Sequence, residues 1–360
     1  MPYSSFAMRA PERPHLLSML PDDLAAHLRA QGVDVREAEA RRILAHAISL
    51  GRDGFPEARP VAARVTGVVA ATTARDRPRV VERAADPTDG FVKYLFQADD
   101  GALFEAVRIP LQRPGAFTVC LSSQAGCAMG CAFCATARLG LARDLSAAEI
   151  VGSFLAVRDD APGRVTGAVF MGQGDPLANP DAVIRAARVL SDPCGGRISA
   201  PAISVSTVGP ASRIRRYTEG GHPYRLIVSV GSFLSERRAR LLPVAGREPL
   251  LALAAALRAH AAATRERMTV AWVLIDGVNC DDAEVDALLA LLGDIPLRIN
   301  LIEVNDPRPD GFRPPSLDRL NAIRRRLCAA GIPVVRRYSG GVSAHAACGM
   351  LASRRVADRG

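Results

Sequence analysis

The stretch from Cys120 to Gly140, CLSSQAGCAMGCAFCATARLG, gathers four of the chain's eight cysteines, and a further one, Cys348, stands near the opposite end. Cys127, Cys131 and Cys134 form a CxxxCxxC run. Three thiolates so spaced on one loop can hold three irons of a cubane iron–sulfur cluster, for which cysteine is the usual ligand. A purely structural cluster would want a fourth protein ligand. An iron left open can be chelated by the amino and carboxylate groups of S-adenosylmethionine, which sets the sulfonium beside the reductant. Phe133, just before the last ligand, supplies an apolar cover. The alternative is a zinc site with Cys120 as fourth ligand, although zinc motifs usually pair their ligands as two knuckles.

Downstream, polar groups suited to such a cofactor follow short apolar stretches. VFMGQGDPL carries Gly172, Gly174 and Asp175, where backbone carbonyls and a carboxylate can accept hydrogen bonds from an ammonium. Taken alone, Gly-x-Gly is equally a tight turn. Ser206, Ser229, Val230, Gly231 and Asn305 also close apolar stretches and are expected to meet the cofactor's carboxylate or ribose, with turn and cap roles as the alternative.

These groups need a scaffold that brings them together. FTVCLSS, TGAVFMG, AISVST, RLIVSV, MTVAWVLI and RINLIEV are apolar and rich in β-branched residues. Between them lie helical candidates such as SAAEIVGSFLAVRDD, PDAVIRAARVLSD, EPLLALAAALRAHAAAT and DDAEVDALLALLG. The alternation predicts right-handed βαβ units on a parallel sheet. Six units without a dinucleotide fingerprint imply an α/β fold, a partial (β/α)6 TIM-like barrel over residues 113–350, with its chemistry at the C-terminal strand ends. Ahead of it, 20–32 and 36–51 read as two helices of an accessory unit spanning 1–60. Residues 61–112 read as a β extension: strand in VAARVTGVVAATTA, then a hairpin in KYLFQADDGALFEAVRIP turning at Asp99, Asp100 and Gly101. Residues 351–360 form a tail.

Composition narrows the partners. Lys and Arg number 46 against 37 Asp and Glu, a formal +9 that favours an anionic partner such as RNA. Basic stretches such as RIRRYTEGGHPYR read by default as solvated helix faces. No run approaches the ~20 apolar residues of a membrane span, and the opening MPYSSFAMRAPERPH has no signal-peptide core, so a cytoplasmic, reducing setting is expected. There, clustered cysteines are metal ligands or catalytic thiols more often than disulfides.

The cysteine run with its apolar cover resembles the signature of the radical S-adenosylmethionine superfamily. More narrowly, TVCLSSQAGCAMGCAFCATARLGLARDLSAAEIV, VFMGQGDPLANPDAVI, VLIDGVNC, RINLIEVN and HAACGML resemble the adenosine C2 methyltransferases of 23S ribosomal RNA and their chloramphenicol–florfenicol resistance relatives, which modify C8. The resemblance implies a [4Fe-4S] cluster on Cys127, Cys131 and Cys134, two S-adenosylmethionine molecules per turnover, an external electron donor such as flavodoxin or ferredoxin, and a monomer acting on ribosomal or transfer RNA. It also assigns the remaining thiols. An amidine-type adenine carbon is electrophilic, so a methyl cation cannot be delivered to it directly. A thiolate, Cys348, takes the methyl first. A radical made from the second cofactor removes a hydrogen from that S-methyl group, the resulting carbon radical adds to the base, and Cys120 cleaves the thioether by attacking the Cys348 sulfur, leaving a transient disulfide. Glu105, in FEAVRIP, matches the position proposed to take the ring proton; the plain alternative is an exposed strand carboxylate. The alternative for Cys348 is a small buried hydrophobe.

Cys194, Cys280 and Cys328 read as packing or surface residues, and His222 and His345 as structural. The chain departs from the family in Asp175, in Ser229–Phe233, and in Gly340–Ala344, where relatives carry acidic residues. Two other readings remain at this point: a radical enzyme acting on a peptide or small natural product, and a non-catalytic zinc-containing RNA-binding protein.

Overall fold

The computed structural model describes residues 13–50, 61–306, 308, 311–337 and 340–351. Three helices lead, α1 (Pro21–Ala30), α2 (Glu37–Leu44) and α3 (Ala63–Thr72). Strands β1 (Arg79–Ala85), β2 (Val92–Gln97), β3 (Leu103–Pro110) and β4 (Ala116–Leu121) follow. A small ribbon, β5 (Gln124–Gly126) and β6 (Leu141–Asp144), flanks the four-residue α4 (Ala135–Arg138). Then come α5 (Ala147–Asp159), β7 (Arg164–Phe170), α6 (Pro180–Ser191), β8 (Ile203–Thr207), α7 (Ala211–Glu219), β9 (Arg225–Ser229), α8 (Ser235–Leu241) and α9 (Leu250–Thr264). The chain closes with β10 (Met268–Leu274), α10 (Asp282–Leu292), β11 (Leu297–Glu303), α11 (Leu317–Ala329) and β12 (Val334–Arg337).

One sheet of ten strands runs β1-β2-β3-β4-β7-β8-β9-β10-β11-β12. From β4 onward every pairing is parallel, so all six expected strands are present in sequence order, and β12 adds a seventh at the edge. β12 escapes sequence reading because Val334 and Val335 are followed at once by two arginines and its pattern is half exposed. Parallel strands covered on both faces are apolar throughout; β10, with six of seven residues buried, shows it. The expected hairpin is β2–β3, and β1 and β4 pair antiparallel on either side of it, so these strands continue the barrel sheet.

One element differs in kind. VAARVTGVVAATTA is a helix, α3, and not a strand: Val65, Thr66 and Val69 are its buried residues, an i, i+1, i+4 set that only helical periodicity puts on one face. Its β-branched composition is overridden by the packing it completes. A continuous core includes Leu24, Leu28, Ile43 and Leu44 of the first helices together with Phe96 of β2 and Phe154 of α5. α5 starts where Ser146 accepts from the Glu149 amide and Glu149 returns the bond to the Ser146 amide, a capping box legible as SAAE.

Candidate active site: three cysteines, two further thiols and a buried carboxylate

The cysteine loop leaves β5 at the C-terminal end of the sheet and is held at several points. Cys127 N–H donates to Gly140 O at 2.8 Å, Ala132 N–H to Leu241 O at 3.0 Å, and Cys134 N–H back to Cys131 O at 3.1 Å. Cys127, Cys131 and Cys134 line one pocket with Met129 and Phe133. Among the described residues no three His, Cys, Asp or Glu side chains are placed to hold a single metal ion. Three thiols on one loop facing one pocket suit a polynuclear cluster, in which each thiolate takes its own iron. Burial pushes the Cys127 thiol up to about 11 and Cys131 higher still, so thiolates here require a cationic partner. Arg238, 2 % exposed, lies behind the loop with Nε and Nη1 unpartnered, close enough to Cys131 to feel its charge. Sequence reasoning missed it; RRAR gives no sign of which arginine turns inward.

Met171, Gly172, Gly174, Asp175, Ser206, Thr207, Ser229 and Asn305 complete the pocket wall from the ends of four strands. Gly174 has φ +88°, and a Cβ there would stand 2.6 Å from the Gln124 side chain; one on Gly172 would meet Leu121 backbone at 2.8 Å. Both glycines therefore let the end of β7 press against the start of the cysteine loop. Asp175 has partners within the chain that the sequence does not announce. Its carboxylate already accepts from Thr207 Oγ1 at 2.9 and 2.8 Å, Val208 N–H at 3.0 Å and Leu177 N–H at 3.0 Å. It ties the end of β7 to the end of β8, while burial raises its pKa against the pull of those donors. The Ser206 and Ser229 hydroxyls make no hydrogen bond among the described residues, so they are available to a ligand. Val230 and Gly231 lie outside the pocket wall: Val230 is wholly buried in the core, and Gly231 O accepts from Asn279 Nδ2 at 2.6 Å.

Cys348 belongs to this pocket as well, and it also lines a smaller cavity of about 50 Å³ that holds Cys120, Met171, Ile302 and Leu351. The two spaces adjoin through Cys348, Met171, Ile302 and Leu351. The distant sulfur is thus beside the three-cysteine loop and beside Cys120, which packs in a separate apolar cluster from the loop cysteines. Cys120 lines the cavity of Cys348 and not the pocket of the three loop cysteines. Burial, with the nearby Cys348 sulfur adding to it, raises the Cys120 pKa far above the ordinary thiol value.

Lys93, Val107, Cys120 and Val169 sit opposite one another across β2, β3, β4 and β7, so all four side chains share one face of the sheet. Glu105, two residues before Val107, falls on the same face toward the C-terminal end of β4. It is completely buried, contrary to the exposed-carboxylate alternative. Gln173 Nε2 donates to Oε2 at 3.2 Å, and Lys93 Nζ lies 3.2 Å from Oε1 without hydrogen-bond alignment. Burial lifts the carboxyl to about 7 while Lys93 pulls it down. Lys93 and Gln173 are functional neighbours that the sequence did not single out, although Lys in an apolar strand is a legible anomaly.

The C-terminal loop is held from two directions. Asp89 Oδ2 accepts from Gly341 N–H at 2.7 Å and Asp86 Oδ2 from Ser343 N–H at 3.0 Å, with donors from Ser343 and Thr88 holding Asp86 well below the usual carboxylate range. Two carboxylates from the turn between β1 and β2 thus hold the backbone of the 340–344 segment. On the other side Ala135 N–H donates to Gly349 O at 2.7 Å and Thr136 Oγ1 to Leu351 O at 2.6 Å, binding the loop to the first turn after Cys134. Cys280 is buried, Cys328 exposed and Cys194 half-buried; His345 stands in the loop at φ +51°, and His222 packs against Tyr217 at 5.1 Å.

A parallel sheet with three loop cysteines and a ring of strand-end polar groups defines a radical S-adenosylmethionine enzyme, and the superfamily model, "Radical SAM superfamily", matches residues 121–292. A solved radical SAM methyltransferase from Sphaerobacter thermophilus superposes with a TM-score of 0.85 at 34% identity, covering 94% of this chain and 98% of that one. Among curated relatives, a probable RNA methyltransferase of Anaeromyxobacter sp. (strain Fw109-5) is 48% identical, covering 94% of this chain and 99% of its own length. A dual-specificity RNA methyltransferase RlmN of Syntrophobacter fumaroxidans is 38% identical over 89% and 93%. The chain belongs to this radical SAM RNA methyltransferase family, which implies a [4Fe-4S] cluster and S-adenosylmethionine. Among the described residues no helix is long and apolar enough to cross a membrane.

Proposed function

We propose that the protein methylates an adenosine of ribosomal or transfer RNA at ring carbon C2, with Cys348 as the methyl carrier, Cys120 as the resolving thiol and Glu105 as the proton acceptor. The observation that carries this reading is the shared cavity of Cys120 and Cys348 beside the three-cysteine pocket. Cys127, Cys131 and Cys134 hold the cluster, and Gly174 with its neighbours, Ser206, Ser229 and Asn305 hold S-adenosylmethionine. When bound, these groups supply the methyl group from one cofactor molecule and, from a second, a carbon radical that takes a hydrogen atom from S-methylated Cys348. The carbon on the Cys348 sulfur then bonds to the base. The adduct would return one electron to the iron–sulfur centre, which gave one up in making the radical, and Glu105 takes the ring proton, with its pKa near 7 matched to that task. Cys120 attacks the Cys348 sulfur: an S–S bond forms, the S–C bond breaks, and its electron pair passes to the exocyclic carbon, which is protonated to a methyl group. A cellular reductant restores both thiols. This cycle suits a monomer in the cytoplasm, fed by flavodoxin or ferredoxin.

Free space in the pocket is about 140 Å³, under the ~300 Å³ at which small-molecule sites begin. Cys348, Gly349 and Leu351 form one wall, and Leu351 O lies 3.5 Å from the Gln173 amide that meets Glu105. Binding both cofactor and base therefore requires the 348–351 segment to draw back, which also uncovers Glu105.

The test is nucleoside mass spectrometry of ribosomal and transfer RNA from a deletion strain and its parent. Loss of 2-methyladenosine on deletion is expected; loss of 8-methyladenosine would move the target carbon. RNA identical in both strains would reject the RNA reading and favour a peptide or small-molecule substrate.

A further inference from the structure

The stretch RIRRYTEGGHPYR does not form a uniformly solvated face. Its helix, α7, lies beside α6 on the outside of the barrel, and a groove of about 730 Å³ runs between them. Arg185 and Arg188 of α6 and Arg213 and Arg216 of α7 line it. Each pair has i, i+3 spacing, which puts both members on one helix face, so two ladders of guanidinium groups confront each other. Asp181 and Glu219 are the carboxylates on its walls.

The arginines are not spent on one another's neighbours. Arg185 is paired with Asp23 of α1 at 2.7 Å. The side chains of Arg188, Arg213 and Arg216 make no ion pair or hydrogen bond among the described residues; Arg213 is near enough to Asp175 to act on its charge, yet its Nη1 is buried without an acceptor. A buried guanidinium N–H without a partner is costly, and a phosphate oxygen is the acceptor that its planar fork fits best. The groove also has a direction. It begins at Leu177 and Ala178, directly after the Asp175 that lines the cofactor pocket, and descends past Arg188 to Gly220 and His222. Asp23 places its flank against the N-terminal helices.

From this we infer that the α6–α7 groove is a track for the phosphodiester backbone of the RNA, guiding the strand to the pocket mouth while the target base turns inward. The inference rests on the RNA reading above. It places sequence-independent affinity on this face, since phosphate contacts position a nucleic acid without reading its bases.

The test uses the full-length, cluster-loaded protein with 23S ribosomal RNA and transfer RNA transcripts, measuring Kd from 50 to 200 mM salt. R188Q/R216Q should lower the slope of log K against log salt by about 2, one per lost phosphate contact, and weaken both RNAs alike. R188K/R216K should keep most of the slope, and iron, sulfide and S-adenosylmethionine binding should match the parent in both variants, which separates a lost contact from a lost fold. R213Q should lower the slope by about 1. A parent that binds RNA, with Gln variants of unchanged slope and Kd, overturns the groove and leaves the RNA reading standing. A parent that neither binds nor methylates either RNA overturns both.

Discussion

The cofactor pocket and the thiol cavity share a wall but are built on opposite plans. The three loop cysteines lie within eight consecutive positions, and the pocket around them is rigidified locally, by glycine contacts between β4 and β7 and by Asp175 bridging to β8. The thiol cavity joins Cys120 on a central strand to Cys348 on a loop more than two hundred residues later, and its geometry depends on Asp86, Asp89 and the turn after Cys134. On the function proposed above, the first plan would generate a reactive species, which needs a fixed cage. The second would carry a group, release a product and reset, which needs a member that can move. A loop held by a few backbone hydrogen bonds to two carboxylates and one turn meets that need.

Breaking the comparison at its strongest points gives the largest effects. Cys348→Ala should abolish RNA methylation while iron and sulfide content stay at the parent level; Cys127→Ala should lose both. Methylation surviving in the first, or a full cluster in the second, would erase the division of labour. Glu105→Gln should come next, slowing methylation roughly 10²- to 10⁴-fold in single-turnover assays, the range expected for loss of a positioned proton acceptor. Because only ionised Glu105 accepts a proton, the parent rate should rise with pH through about 7. Lys93→Met removes the charge that favours the ionised form, so the rise should move to higher pH; an unmoved profile would mean that another group is titrating. The smallest change, Asp86→Asn with Asp89→Asn, should speed hydrogen exchange a few-fold at Gly341 and Ser343 and leave the cysteine loop untouched.

How far each plan could be read from the chain follows from the same contrast. The cysteine run, the SAAEIVGSFLAVRDD helix and the six apolar strands are local patterns, and each element stands where its residues imply. The pocket glycines were legible as a strand-end turn, but the reason for them, close approach to Leu121 and Gln124, is tertiary. Asp175 was legible as a polar group in the right place, but its tie to Thr207 and Val208 was not, because these residues close and follow another strand. That the Val230 side chain turns from pocket to core, one step after Ser229, was not legible, because the face each residue takes depends on the packing around the strand end. α3 failed because β-branched residues in VTGVVAATT suit either period until the packing partner is known. The clamp of Asp86 and Asp89 was hidden entirely, since the acids lie two hundred and fifty residues from the loop they hold.

The most direct test of the account is mass spectrometry of the Cys348 peptide from Cys120→Ala protein, expressed with a functional cluster and digested with nuclease and protease. The account predicts an adenosine-containing adduct joined through one carbon to the Cys348 sulfur, because the thiol that would release it is gone. A Cys348 peptide carrying no RNA, from protein whose cluster is intact and whose RNA is still methylated, would contradict it.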